Sequence, residues 1–417
     1  MISERTIICL ASDWEYDPTS KHQIMKILAR QNQVVWVNYH GTRRPAPTRT
    51  DALNALSILR CVTRGVRRVS SNMVQVTPLV IPAPRHPYLK RINEHLVISA
   101  IRRALAYFGD ADRPVQVWTF APDTGFVAGK LGEERFVYYC VDEHAQFEGF
   151  DPRYVAQEER KQIDAADVLI TTSAALFESK GRSHPSKHLV RHGVDAAHFG
   201  RAVDGDLPVP DDLAGVPHPV IGFFGVVHHW IDCALIAEVA RKRPEYTFVL
   251  IGEVLTDVTP LRGLPNVRLL GRRPYETLPH YCKLFDAAML PFNRTAMTRS
   301  VNPIKMREYL AAGLPVVSTP LPEARQHEAD IIITDGADAF TQGCDRVLRE
   351  NGSAGSKTLD ISARRARAER AAGDTWEAVV ERLSSIVMQT PGTRSPDDVS
   401  KQTTSPAEEP ELVSSIA

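Results

Sequence analysis

Short, almost unbroken apolar runs alternate with helical patterns along most of this chain. In the first half these runs are TIICLA (6–11), VVWVNY (34–39), MVQVTPLVIP (73–82), VQVWTF (115–120), FVYYCV (136–141) and DVLITT (167–172). A strand with one face in water alternates apolar and polar residues, whereas a run without alternation is covered on both faces. Between the runs, KHQIMKILAR (21–30) and INEHLVISAIRRALAYF (92–108) carry apolar residues at helical spacing. Strand and helix repeated in this order predict an α/β class: parallel sheets wound with helices.

The pattern stops once. Residues 196–219 are broken by Pro, Gly and Asp and read as a linker. It then restarts with VIGFFG (220–225), DCALIAEVARKR (232–243), YTFVLIG (246–252), VRLLG (267–271), a helix near 275–284, DAAMLPF (286–292) and PVVS (315–318). With 417 residues, the chain exceeds one ordinary core. Two βα domains are expected, 1–195 and 220–370. A last helix within 371–389 is expected to cross back to the first domain. The Pro/Ser/Thr/Glu-rich tail 390–417 has the composition of a disordered segment. In such sheets ligands sit at the carboxyl ends of strands, and two facing domains make a cleft there.

Formal net charge is zero, which argues against a nucleic-acid partner. Locally, residues 42–107 hold twelve Arg/Lys against two acids, a net charge of +10. That stretch is either a solvated basic face or a dock for an anionic surface, in which the helix face Leu96, Val97, Ile98, Ile101 and Leu105 would take part unless those residues are core. The six cysteines form no C-x-x-C pair and fit reduced thiols in a cytosolic protein. The N-terminus is too short in apolar residues for a signal peptide, and no 18-residue apolar run exists. A cytoplasmic protein is expected, with a peripheral place on the inner face of the plasma membrane open through 42–107.

No P-loop, G-x-G-x-x-G or zinc-spaced Cys/His pattern is present. Two D-x-D triplets, Asp110/Asp112 and Asp204/Asp206, read as turn residues before metal–diphosphate ligands. The most informative stretch is SVNPIKMREYLAAGLPVVSTP (300–320). Asn302 suits an N-cap, Pro303 the first helical position and Gly313 the residue past the end, predicting a helix over 303–312. Lys305 then sits in the first turn, where a cation opposes the helix dipole. Either it shares an anion such as a diphosphate with the helix end, or it pairs in solvent with Glu308. Glu308 could instead accept from two vicinal ribose hydroxyls.

In the first half, FVYYCVDEHAQF ends a strand with Asp142, Glu143 and His144. Asp142 is placed either for proton transfer or as a helix cap, and His144 is a competing base. The loop SDWEYDPTSKHQ (12–23) holds Asp13, Trp14, Lys21 and His22, which line the cleft or cap the next helix.

Taken together, these segments resemble the GT-B glycosyltransferases, two-domain enzymes that use nucleotide sugars. NPIKMREYLAAGLPVVSTP resembles the donor-site segment. RHGVDAAHF (191–199), IGFFGVVHHWIDCALIAEVA, TFVLIGEV and VRLLGRRPYETLPHYCKLFDAAMLPF resemble the neighbouring segments, in the right order. The match is good over roughly 165–320. Within the fold, the chain is similar to bacterial exopolysaccharide and teichuronic-acid-type enzymes and to the xanthan-type glucuronosyltransferase. It departs from the large retaining family, with Ser300 in place of a glutamate and GVVHHWID in place of an Arg/Lys pair.

The resemblance implies two Rossmann-like domains facing a cleft and a nucleotide-sugar donor, most simply a UDP-sugar. It implies a saccharide or polyprenyl-diphosphate-linked acceptor and no metal or other cofactor. It makes Asp142 the base, Lys305 the diphosphate contact and Glu308 a nucleoside contact. It sets Gly225, Arg272, Arg273, Phe292, Asn302 and Ile304 around the donor, whose base stacks near 271–275. The alternatives are a nucleotide-sugar epimerase of the same fold and a non-catalytic sugar-nucleotide-binding subunit.

Overall fold

The computed structural model describes residues 1–16, 18–41, 49–81, 86–109, 112–350 and 360–391. The first sheet contains β1 (Thr6–Ala11), β2 (Gln33–Asn38), β3 (Arg67–Ser70), β4 (Met73–Val76), β5 (Val115–Thr119), β6 (Glu133–Cys140), β7 (Val168–Thr171) and β8 (Lys187–Leu189). Its order is β3-β4-β2-β1-β5-β6-β7-β8, parallel except where β3 meets β4. The second sheet contains β9 (Val220–Phe224), β10 (Thr247–Ile251), β11 (Val267–Gly271), β12 (Ala287–Leu290), β13 (Val316–Ser318) and β14 (Ile331–Ile333). Its order is β11-β10-β9-β12-β13-β14, parallel throughout.

The unbroken apolar runs are explained by burial on both faces. In β1, Ile7, Cys9 and Ala11 join one core with Ile24, Met25 and Leu28 of the helix Ser20–Leu28. Ile8 and Leu10 join the other, with Val97, Ile101 and Ala104 of the helix Pro87–Ala106. The second sheet has one continuous core, into which Phe223, Phe248, Phe285 and Tyr309 are packed.

The two domains are joined at two neighbouring crossings. Val194 N–H donates to Asp374 O at 2.8 Å and Trp376 N–H to Val194 O at 3.3 Å. A Cβ at Gly193 would lie 2.7 Å from the Trp376 nitrogen, so this crossing requires glycine. The helix Trp376–Gln389 then buries Trp376, Val380, Leu383 and Val387 in the first domain's core. Further bonds bind the domains near the cleft: Ser173 Oγ to Ser300 O at 2.7 Å, Asn302 Nδ2 to Thr172 O at 2.6 Å, and Ala174 N–H to Glu323 Oε1 at 2.8 Å.

Four expectations are corrected. Within the expected linker, Ala196–Asp204 is a helix capped by Asp195, and its Phe199 and Ala202 belong to the second core. The run 73–82 forms a strand only over Met73–Val76. On the 92–108 helix, Val97, Ile98 and Ile101 are buried and Leu105 packs against the same core, so this face is not free for a membrane. Asp204 is paired with Arg365 at 2.6 Å, which makes it a surface ion-pair residue. Asp110, the tail from 392, and residues 42–48 and 82–85 of the basic stretch lie outside the described residues.

Candidate active site

A cavity of about 430 Å³ opens between the two sheets. Its walls follow the carboxyl ends of strands: Pro18–Lys21 beyond β1, Val141, Asp142 and Phe147 beyond β6, Gly225 and Val226 beyond β9, Glu253 beyond β10, Arg272 and Tyr275 beyond β11, and Phe292 beyond β12. Peptide dipoles and loop freedom favour ligands at this edge of a parallel sheet.

The second domain contributes the helix Ile304–Ala311. It begins one residue later than its sequence predicts. Pro303 occupies the cap position, and Asn302 is not the cap: its amide bonds Thr172 O and its oxygen accepts from Arg307 at 2.8 Å. Asn302 therefore serves the domain contact while still lining the cavity. At the other end, Gly313 takes a φ of +71°, and a Cβ there would lie 2.5 Å from Arg364 O. Arg364 and Arg367 donate to the carbonyls of Ala312 and Gly313, buried at the helix end, at 3.1 and 2.7 Å.

Lys305 is the second residue of this helix and enters the cavity. Its ammonium lies 5.5 Å from the ring centres of both Phe223 and Phe292. Gly225 makes room for it. A Cβ at Gly225 would sit 2.7 Å from Lys305 Cε, and the φ of +128° already excludes most side chains. Behind Gly225, a Cβ at Gly252 would collide with the Gly225 carbonyl.

Lys21 is likewise the second residue of its helix, Ser20–Leu28, on the opposite wall. Neither lysine makes a hydrogen bond or an ion pair within 4.0 Å to a described residue. Burial lowers the pKa of both, while Asp142 acts in the opposite direction on each. Asp142 lines the same cavity and interacts electrostatically with both. Burial pushes its carboxyl up to about 7, against the pull of Lys21 and Lys305. Glu308, one turn beyond Lys305, is also pushed up to about 7 by burial, with Lys305 opposing. Two lysines, each from the first turn of a helix in a different domain, thus share one cavity with a carboxyl poised near neutrality.

The loop carrying Asp142 is held by a buried ion network. Lys180 Nζ bonds Glu143 at 2.6 Å and Glu159 at 2.7 Å, and Tyr138 donates to Glu159 at 2.6 Å. Asp142 does not cap a helix; the next one, Pro152–Ala165, is capped by Asp151.

Several expected site residues are elsewhere. His144 is buried outside the cavity wall, and burial next to Lys180 holds its pKa down to about 3, so it is not a base for the cleft. His22 completes a capping box: its Nδ1 accepts from the Thr19 N–H at 3.1 Å, and burial lowers its pKa to about 3. Trp14 packs on His22 and Trp36, with ring centres 5.2 and 4.9 Å away. Asp13 caps its own loop by accepting from the Glu15 N–H. None of Asp13, Trp14 and His22 lines the cavity. Arg273 does, but its guanidinium is taken by Asp212 at 2.7 Å and Tyr281 at 3.0 Å. Gly225, Arg272, Phe292, Asn302 and Ile304 all line it.

The sequence reading did not single out Phe147, His192, Trp230 or Met297, although the first three lie within the quoted segments. Tyr275, at the edge of the segment expected to stack a base, has one ring face on His198 at 4.7 Å and 10°.

Residues 218–350 match the family profile described as "Glycosyl transferases group 1". The chain is 27% identical over 256 residues to a putative teichuronic acid biosynthesis glycosyltransferase, TuaH of Bacillus subtilis (strain 168). That alignment spans 57% of this chain and 64% of the relative, under two thirds of its length. Among solved structures, sucrose-phosphate synthase from Thermosynechococcus elongatus superposes with a TM-score of 0.66 at 15% identity, covering 92% of this chain and 98% of that one. Anabaena HepE in complex with UDP-glucose gives 0.63 at 14% identity, covering 92% and 99%. Residues 218–350 thus match the group 1 glycosyltransferase profile, within a chain that has the two-domain GT-B fold.

Proposed function

We propose that this chain transfers a sugar from a UDP-sugar to a hydroxyl of a saccharide or lipid-linked saccharide acceptor in bacterial surface-polymer synthesis. One observation carries the reading: two lysines without described partners, each in the first turn of a helix and from different domains, line one cavity with Asp142. A cation placed against its own helix dipole makes sense when both meet an anion. The donor diphosphate occupies the Lys305 side and Glu308 meets the ribose. The complex of Anabaena HepE with UDP-glucose supports the donor class, and the similarity to TuaH supports the polymer role.

In the reaction, the Asp142 carboxylate takes the proton of the acceptor hydroxyl. The freed oxygen bonds the anomeric carbon as the bond from that carbon to the diphosphate oxygen breaks. UDP leaves with the electron pair, stabilised by Lys305 and the helix N-terminus rather than by a metal. Lys21 and the helix Ser20–Leu28 then suit a phosphate on the acceptor, as in a polyprenyl-diphosphate-linked saccharide. Exposed Arg60, Arg64, Arg91, Arg102 and Arg103, with exposed Leu56, Leu59, Tyr88 and Ile92, suit docking on an anionic membrane.

The test is mass spectrometry of products from a panel of UDP-sugars, with and without a lipid-linked saccharide. Transfer that needs the acceptor supports the reading. An epimerised or hydrolysed sugar formed equally fast without acceptor would replace it.

A further inference from the structure

The loop that follows β9, GVVHHWID, and the loop that follows β6 meet at the mouth of the cleft through side chains not used above. His228 and His229 come from the second domain and Glu148 from the first. One potential ligand atom from each lies within 4.8 Å of the other two. His229 Nδ1 is 3.5 Å from Glu148 Oε1 and 2.6 Å from His228 Nδ1.

The imidazoles are held in place from the second domain. His228 stacks on Trp230 with ring centres 4.2 Å apart and 6° between planes. Asn293 Nδ2 donates to His229 O at 2.7 Å, and the Val227 N–H donates to Glu253 O at 2.9 Å. Both loops also reach the cavity, through Trp230 and Phe147. The cluster thus joins the loop bearing Asp142 to the loop bearing Gly225, across the domain gap.

We propose that Glu148, His228 and His229 form a transition-metal site of the zinc class that clamps the two cleft loops together. Two imidazoles and a carboxylate match the ligand preference of Zn²⁺, with water completing a tetrahedron. Magnesium and calcium prefer oxygen-only sets. Two nitrogens on one zinc at about 2.0–2.1 Å stand roughly 3.3 Å apart, so the imidazoles need to separate by less than an ångström, and the His228 Nδ1 lone pair must be released from the His229 N–H that it accepts from at 2.8 Å. Glu148 and the histidines are partly or well exposed, so the loops can make this adjustment. The metal would act on closure of the cleft, not on the diphosphate, and the proposal does not depend on the identity of the sugar reaction.

The test uses the untagged, chelator-stripped full chain, titrated with Co²⁺ and followed by visible absorption, with Zn²⁺ and Mg²⁺ as competitors. One Co²⁺ per chain is expected, displaced by Zn²⁺ and not by Mg²⁺. Affinity should fall at least about tenfold in Glu148→Ala and further in the double variant His228→Ala/His229→Ala. Zn²⁺ should also slow proteolysis of the wild-type loops at 142–151 and 225–231, but not those of Glu148→Ala. No saturable binding below about 1 mM would overturn the site. Equal binding by wild type and Glu148→Ala would overturn the clamp.

Discussion

Asp142 and Glu308 occupy one cleft and are both pushed up to about 7 by burial, yet they are asked for different things. Asp142 must be ionised to take a proton. The acceptor-dependent kcat/KM should therefore rise with pH through a limb near 7 and level off above it. A pH–rate profile flat from 5 to 8 would remove Asp142 from the chemistry. Asp142→Asn should lower kcat by about 10²–10⁴-fold. The same substitution has a stability consequence with a definite sign. A carboxyl whose pKa is raised in the fold contributes stability below its ordinary pKa, and this is lost as pH rises through about 7. Asp142→Asn should therefore melt higher than wild type at pH 8 and by a smaller margin at pH 5, which calorimetry at the two pH values would check. At this scale the sequence was legible where a residue was misplaced for its local structure, as Lys305 is. It was not legible for His22 and His144, because a capping box and burial remove them from the cleft without changing their identity.

The helix Ile304–Ala311 can aim Lys305 into the cavity because neighbouring glycines leave space for it. Gly225 keeps a φ of +128° and lies where a Cβ would press on Lys305 Cε. Gly225→Ala should raise the Kd for UDP about tenfold or more through displacement of the ammonium and backbone strain of about 1–3 kcal/mol. Gly252→Ala should be worse for folding than Gly225→Ala, because its Cβ meets a carbonyl and not the end of a flexible side chain. Thermal melts of the two variants would rank them. The strands were readable from their unbroken apolar runs, since both faces are covered. The helix 196–204 was not readable. Its short length and the Gly, Asp and Pro around it look like a linker, and only packing of Phe199 and Ala202 reveals it. The start of the helix at 304 was misread by one residue because Asn302 bonds across to Thr172, a partner distant in sequence.

At the scale of the molecule, the chain crosses between domains twice and returns its last helix to the first core. Trp376→Ala removes a large buried ring at the second crossing and should cost about 3–5 kcal/mol. If the crossings couple the domains, the loss should appear as a lower Tm with weaker protection by UDP, although the proposed UDP site lies away from Trp376. The two-domain plan was legible in the restart of the strand–helix pattern at 220. The docking of the domains was not, because it rests on single bonds such as Ser173 to Ser300 O and Ala174 N–H to Glu323. On the proposed reaction, Lys305 holds the donor diphosphate while Asp142 acts only on the acceptor. Isothermal titration with UDP separates these roles. Lys305→Ala is expected to weaken UDP binding by about 10²-fold or more, and Asp142→Asn to bind UDP at least as well as wild type. Lys305→Ala binding UDP within twofold of wild type would contradict this division of labour.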